Sequence, residues 1–142
     1  MQSKEKDNLV FVRLFHDEDV FSELKKVCMG HNVVTAVVLN GIGRMKQFEL
    51  GYFISKGNYA SEQFAEAYEL VSLAGNLSKQ ESGYVFHLHA ILSDIDKKTV
   101  AGHLTRGKVD VTNEIVLLKT GMTIVRKAEP SGLTGLFLEE DK

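Results

Sequence analysis

The strongest constraint on the fold is a strand pattern that runs through nearly the whole chain and gives way only once to a strong helical pattern. Residues 9–15 alternate in the manner of a short β-strand. From Asp17 the apolar residues recur instead at helical spacing, with Asp17 as the N-terminal cap and Gly30 just past the end. A chain with one principal helix and many strands packs that helix on a sheet, so we predict an α+β fold.

The remaining segments predict a largely antiparallel sheet of about seven strands. Residues 33–39 are almost continuously apolar, which indicates a strand buried on both faces, and the glycine-rich segment 41–43 is typical of a turn. Residues 61–66 are compatible with a short turn of helix. The segment 68–74 is expected to be a strand that ends at Gly75. Alternation or strand-forming residues predict further strands at 48–54, 84–93, 99–104, 109–119 and 122–127.

Length and composition predict a single domain over residues 1–142, with a core at about 9–128 and a tail at 129–142. The hydrophobic set makes up 44% of the chain, enough for a core without a disulfide. The one cysteine, Cys28, has no partner in the chain and suits a reducing compartment, so we expect a cytoplasmic protein. No apolar run approaches the roughly 20 residues that span a bilayer, so no membrane partner is expected.

The charge of the chain argues against a self-sufficient DNA-binding domain. Seventeen Lys and Arg residues face nineteen Asp and Glu residues, which leaves a net charge of -2. The basic residues are scattered, and the densest pair, Lys97 and Lys98, lies in an apparent turn. Such a surface offers no global attraction for a polyanion.

The chemistry of the chain is concentrated in His87 and His89. Residues two apart on a strand point to the same face, so both imidazoles lie on one side of the strand predicted at 84–93. If segment 94–98 closes a symmetric hairpin, Ser93 pairs with Thr99 and His89 pairs with His103. Directly opposed residues have Cβ atoms about 5 Å apart, a span that three imidazoles can close around one ion. A loop shorter by one residue would instead move His103 to the opposite face.

Other candidate groups are weaker. His16 and His31 flank the helix and are expected to be cap or surface residues. Cys28 lies on an apolar helical face that should pack, so it is not expected to be a nucleophile. The glycines at 41 and 43 lack the third glycine and the following helix of a nucleotide-binding loop.

Six short segments, which follow one another in order between residues 9 and 119, resemble the plants-and-prokaryotes-conserved (PPC) domain. The resemblance implies a compact α/β domain that assembles as a homotrimer. Bacterial members are commonly labelled predicted DNA-binding proteins, and in plants the domain is joined to basic AT-hook segments. No AT-hook is present here, because the one Arg-Gly pair, Arg106-Gly107, has no proline or second arginine after it. The matching segments are 40–43, 68–76, 85–89, 102–104, 107–109 and 112–115.

The fold of that family is similar to acetolactate decarboxylase, a zinc enzyme whose ligands include a His-x-His pair and a later histidine. The similarity implies that His87, His89 and His103 are ligands of a divalent metal ion, with zinc as the expected ion. It does not by itself imply decarboxylation, since the additional catalytic groups of that enzyme have no identifiable counterpart.

Two functions from different classes stay open on the sequence, which does not decide whether the protein is an enzyme. The first is a homotrimeric binding or regulatory module, acting on DNA, partner proteins or a small ligand, with a metal held by the histidines. The second is a zinc-dependent lyase or hydrolase on a small carbonyl compound. In that case Arg44 could hold a carboxylate, and Glu69 or Glu114 could transfer protons.

Overall fold

A computed structural model describes residues 1–138 and shows one helix among nine strands in that part of the chain. The α+β prediction is confirmed, and every strand pairing among these residues is antiparallel. No helix in this range is long and apolar enough to cross a membrane. The elements are β1 Gln2–Lys6, β2 Leu9–Phe15, α1 Val20–Gly30, β3 Thr35–Ser55, β4 Asn58–Phe64, β5 Tyr68–Gln80, β6 Gly83–Ser93, β7 Thr99–Thr120, β8 Ile124–Ala128 and β9 Thr134–Leu138.

Seven strands form the main sheet, in the order β1-β2-β7-β6-β5-β3-β4, and β8 and β9 form a separate hairpin. The two longest strands, β3 and β7, also pair directly with each other from Thr35–Thr120 to Gly51–His103. The hydrogen-bonded neighbours β3, β7, β6 and β5 therefore close into a ring. The predicted number of strands in the sheet is confirmed.

The helix begins two residues later than the sequence indicated. Asp19, not Asp17, is the N-terminal cap, and its carboxylate accepts a 2.8 Å hydrogen bond from the Ser22 N–H. Asp17 has a left-handed φ of 67°, so it lies in the preceding turn. Leu24 and Val27 face the sheet and are buried, as is Cys28, which is free and whose pKa burial raises to about 12.

The sequence predicted that one strand ends at segment 41–43 and another at Gly75, but both strands continue. The glycines at these positions do not form turns; they allow neighbouring strands to pack closely. The strand β3 runs through Gly41 and Gly43, and β5 runs through Gly75. A Cβ at Gly41 would lie 2.6 Å from the Cβ of Leu73. At Gly43 and Gly75, where φ is 141° and 150°, a Cβ would lie 2.1 Å and 2.0 Å from carbonyl oxygens of neighbouring strands. The strands predicted at 99–104 and 109–119 are likewise one strand, β7.

Segment 33–39 is not buried on both faces. Ala36 and Val38 are buried, whereas Val37 is 39% exposed and Leu39 is 53% exposed. In the strand register, Val37 lies beside Leu118 of β7, which lies beside Leu9 of β2. In the single chain, these apolar residues therefore form a row on the outer, solvent-facing side of the sheet.

Two further differences concern short segments. Residues 61–66 do not form a helical turn, because residues up to Phe64 belong to the edge strand β4. Part of the predicted tail, 129–142, forms β9, whose Leu138 pairs with Ile124 of β8. The last four residues of that predicted tail lie outside the described residues.

Candidate metal centre

The hairpin that joins β6 to β7 has the register that the sequence predicted. Ser93 pairs with Thr99, and His89 pairs with His103. The turn is closed by Asp94, whose Oδ1 accepts hydrogen bonds from the backbone N–H groups of Asp96 and Lys98, both at 2.9 Å. The loop length that places His103 on the face of His89 is thus stabilised by the first residue of the turn.

His87, His89 and His103 converge on one patch of the outer face. Their ring centroids are 5.2 to 5.4 Å apart in the three pairs. Each ring offers one nitrogen such that the three nitrogens lie within 4.8 Å of one another. His87 and His89 are exposed and His103 is half-buried, so an ion from solvent can reach the patch.

The spacing of these nitrogens fits a tetrahedral metal ion. The Nε2 atoms of His87 and His89 are 3.3 Å apart. Zinc–nitrogen bonds of about 2.0–2.1 Å in tetrahedral geometry place two ligand nitrogens roughly 3.3–3.4 Å apart. The nitrogens of His87 and His89 are therefore at the separation expected for two ligands of one ion, and a nitrogen of His103 lies within 4.8 Å of both.

The electrostatics of the patch favour the neutral form of two of the imidazoles. Partial desolvation by the surrounding protein, followed by the charges of His89 and Arg126, lowers the pKa of His87. Burial, followed by the charges of His87 and His89, lowers the pKa of His103. Because only a neutral imidazole can ligate a metal ion, a lowered pKa would let these rings act as ligands at lower pH.

The same shifts predict how stability depends on pH in the metal-free protein. The pKa of His87 and of His103 is below 6.5 in the folded chain and returns to about 6.5 on unfolding. The unfolded chain therefore takes up protons first as the pH falls below about 6.5, and the free energy of unfolding decreases. We expect the free energy of unfolding, measured by urea titration, to be lower at about pH 5.5 than at about pH 7.5. His103→Asn should lose less between the two conditions, and an unchanged pH dependence in that variant would contradict the assignment.

A fourth polar group that the sequence did not reveal lies beside the histidines. Asn76 of β5 is directly opposite His87 of β6, so the two side chains share a face. The Oδ1 atom of Asn76 accepts a hydrogen bond from the guanidinium of Arg126 on β8. Arg126 approaches the site only because β8 packs beside β5, a contact between distant segments that leaves no local pattern in the sequence.

Tyr59 supports the site from the edge strand β4. Its ring meets the His103 ring edge-on, with centroids 6.2 Å apart. Gly51 is opposite His103 in the register, and a Cβ there would lie 2.5 Å from the Tyr59 ring. The glycine leaves the space in which Tyr59 packs.

The structure brings Arg44 and Glu69 together but not to the histidines. Arg44 Nε lies 3.5 Å from Glu69 Oε1 and 3.5 Å from Asp110 Oδ2. Glu69 precedes Ala74, the β5 partner of His89, by five residues, which places it roughly 15 Å along the sheet. Glu114 lies opposite Arg13 and lines a separate groove with Phe11, Ile42 and Val116.

The other two histidines lie at the ends of the helix region, as predicted. His31 is the C-terminal cap of α1, and its ring is within hydrogen-bond distance of Ser3 Oγ at 2.9 Å and Glu5 Oε2 at 3.2 Å. His16 is exposed and lies 3.3 Å from the Asp17 carboxylate. Neither belongs to the three-histidine cluster.

Comparison with known proteins gives one family match and several similar structures. The family described as the Plants and Prokaryotes Conserved (PCC) domain matches residues 1–121. Among curated proteins, the chain is 26% identical over 128 residues to the Bifunctional protein GlmU of Synechococcus sp. (strain JA-2-3B'a(2-13)). The match covers 90% of this chain but only 19% of that protein, so the chain spans about a fifth of its length.

Three solved structures have the same fold over nearly the whole chain. A candidate DNA-binding protein from Bacteroides thetaiotaomicron is 26% identical, with a TM-score of 0.90 and 98% of each chain covered. A plant- and prokaryote-conserved (PPC) protein from Pyrococcus horikoshii is 29% identical, with a TM-score of 0.82, covering 99% of this chain and 95% of that one. A metal-containing protein from Archaeoglobus fulgidus is 24% identical, with a TM-score of 0.82 and 96% of each chain covered.

Proposed function

The chain belongs to the Plants and Prokaryotes Conserved (PCC) domain family, and on this premise we propose that it is a self-associating module that binds one divalent metal ion. His87, His89 and His103 are the proposed ligands, and zinc is the proposed ion. The observation that carries the proposal is the convergence of three imidazole nitrogens within 4.8 Å. Three neutral imidazoles are a donor set that suits zinc.

The coordination number favours a role in ligand binding over a purely structural one. Among residues 1–138, the cluster holds three side chains of the ligating types and no fourth. Structural zinc sites are usually closed by four protein ligands, whereas sites that bind water or a small molecule keep one position open. The metal-containing protein from Archaeoglobus fulgidus, which shares the fold, lends the metal proposal support.

The direct test is metal analysis of the untagged protein purified without added metal. The expected result is one zinc ion per chain, removed by a chelator and restored by zinc alone. A protein that neither carries nor takes up zinc, cobalt or nickel would overturn the proposal. The ligand assignment is tested separately by the variants described in the Discussion.

We also propose that copies of this chain associate into the homotrimer that the resemblance implies, through the apolar row of the outer face on β3, β7 and β2. Val37, Leu39 and Phe11 are exposed on this face in the single chain. Contiguous exposed apolar surface of this kind is typical of an interface. Val37, Leu118 and Leu9 are cross-strand neighbours, so apolar residues adjoin one another across β3, β7 and β2 on this face.

Light scattering at micromolar concentration should show a species of three times the 15.8 kDa chain mass. Leu39→Lys should shift the protein to the mass of a single chain, because the substitution places a charge in the proposed interface. Ile95→Lys is the matched control, since Ile95 is 88% exposed in the β6–β7 turn, away from this face. A monomeric wild type, or an unchanged mass in Leu39→Lys, would contradict the assignment of the interface.

DNA binding by this chain should be weak, nonspecific and abolished by moderate salt. The Bacteroides thetaiotaomicron protein is described as a candidate DNA-binding protein, but this chain has a net charge of -2 and no AT-hook. Nonspecific affinity for DNA comes mainly from neutralised phosphates and falls steeply with salt. Fluorescence anisotropy with duplex DNA at low salt and at about 0.15 M salt tests this. Sequence-specific, salt-tolerant binding would contradict it.

The second candidate function is a zinc-dependent lyase or hydrolase acting on a small carbonyl compound. An open coordination position on the zinc ion favours this function. Zinc would polarise a carbonyl group, or activate a water molecule, that occupies this position. The similarity of the family's fold to acetolactate decarboxylase, a zinc enzyme, is a further argument for this second function. Arg44 and Glu69 pair with each other at a distance from the histidines, so a proton-transfer group for this reaction would have to be supplied elsewhere.

A further inference from the structure

Arg126 is a partly buried cation without an anionic partner in the described part of the chain. Within residues 1–138, its guanidinium donates to Asn76 Oδ1 and forms no ion pair with a carboxylate. Its Nε atom is buried and has no hydrogen-bond partner among these residues. A desolvated charge and an unpaired N–H both raise the free energy of the folded chain. A hydrogen-bond acceptor that carries negative charge would therefore stabilise the Arg126 guanidinium.

The position of Arg126 is determined by two amide side chains on β5. Gln80 donates a 2.9 Å hydrogen bond to the carbonyl of Ile124 and accepts one of 3.3 Å from the N–H of Arg126, so it holds the β8 backbone. Asn76 then accepts from the guanidinium. Since Asn76 is directly opposite His87, the cation lies beside the histidine patch.

The charges at this patch all have the same sign once an ion is bound. Three neutral imidazoles would leave the full charge of a divalent ion in place, and Arg126 adds one more positive charge beside it. Burial lowers the pKa of Arg126, yet an arginine stays protonated at neutral pH because its pKa starts above about 12. An anion that contacts both the ion and the guanidinium would offset this charge.

We propose that the patch is a binding site for small carboxylic acids, in which Arg126 holds the carboxylate beside the open ligand position of the metal. The inference rests on the proposed metal site and names the class of ligand it takes. Arginine presents paired N–H donors that match the two oxygens of a carboxylate. Carboxylate oxygen is also an accepted zinc ligand, so one group satisfies both partners.

The test uses the full chain loaded with cobalt(II), which reports ligand changes in its visible absorption. Titration with glycolate should change the spectrum of the wild type in a saturable manner, and acetamide, a neutral amide, should not. Arg126→Gln should still bind one cobalt ion per chain at saturating cobalt, but it should bind glycolate at least about tenfold more weakly, the size of a charge-assisted hydrogen bond. Arg126→Lys, which keeps the charge, should recover part of the affinity.

The matched control is Lys127→Gln, which removes the same charge from the next residue. The Lys127 ammonium lies over the Phe137 ring, 5.4 Å from its centroid. This variant should bind glycolate like the wild type. Equal glycolate affinity in the wild type and Arg126→Gln, or equal weakening in both variants, would overturn the carboxylate site while the metal site stands. Failure of the wild type to bind cobalt at all would overturn the metal proposal and, with it, this inference.

Discussion

Zinc content should fall from one ion per chain to nearly none when any one of His87, His89 and His103 is replaced by alanine. Two imidazoles with exchangeable water form a far weaker site than three, and the sheet holds the remaining rings in place instead of letting them close in. Outer-shell partners of zinc ligands already contribute about 10–100-fold in affinity, so loss of a ligand should cost more than that. Zinc stoichiometry by elemental analysis, with competition titrations, gives the measurement.

The control for this series is His16→Ala. His16 is exposed and pairs with Asp17 outside the cluster, so its zinc content should equal that of the wild type. His31→Ala should keep the stoichiometry as well, although it can lose stability because His31 lies within hydrogen-bond distance of Ser3 and Glu5. Wild-type zinc binding in His103→Ala would exclude a three-histidine site.

Gly75→Ala should destabilise the protein by about 3 kcal/mol or more and weaken zinc binding. A Cβ at this position would lie 2.0 Å from the carbonyl oxygen of His87, a backbone atom that cannot move without the β6 strand. The φ of 150° at Gly75 is also one that residues with a Cβ rarely adopt. The strand that carries His87 and His89 must therefore shift, and the free energy of unfolding from urea titration should report the cost.

Gly57→Ala separates the steric effect from the backbone effect. Gly57 has a φ of 74°, but nothing lies within 4 Å of the position of its Cβ. It should lose only the roughly 1–2 kcal/mol that a left-handed conformation costs a residue with a side chain, and its zinc affinity should be unchanged. Equal losses of stability in the two variants would contradict the proposed contact with His87.

The histidine patch was predictable because it depends on local rules. The alternation of a strand places His87 and His89 on one face, and a five-residue turn fixes which residue of β7 faces them. Asp94 and the residues after it carry ordinary turn chemistry. The prediction of His89 opposite His103 therefore needed only the sequence between positions 87 and 103.

The errors arose where distant segments determine the outcome. A glycine gives the same sequence signal whether it forms a turn or allows another strand to approach closely. At positions 41, 43 and 75, only the neighbouring strand distinguishes the two cases. An apolar strand such as 33–39 has the same pattern whether the chain itself or a second copy covers its outer face. Arg126 was missed because the packing of β8 beside β5 has no counterpart in local periodicity.

The ring formed by β3, β7, β6 and β5 has a consequence for the rate of folding. Its closing pair joins residues from Thr35 to Gly51 with residues from Thr120 to His103, so the contacts connect the first half of the chain to the second. Pairings between such distant segments are slow to form, because the entropy of closing a long loop must be lost before the contacts stabilise it.

The hairpins β5–β6 and β6–β7, in contrast, connect neighbours in sequence. Hairpins of this kind form in microseconds, well before a ring with distant contacts can close. The three imidazoles of the patch come from the β6–β7 hairpin alone, so they can meet an ion while β3 is still unpaired. An ion bound at that stage would hold β6 and β7 in register and lower the entropic cost of the slow closure.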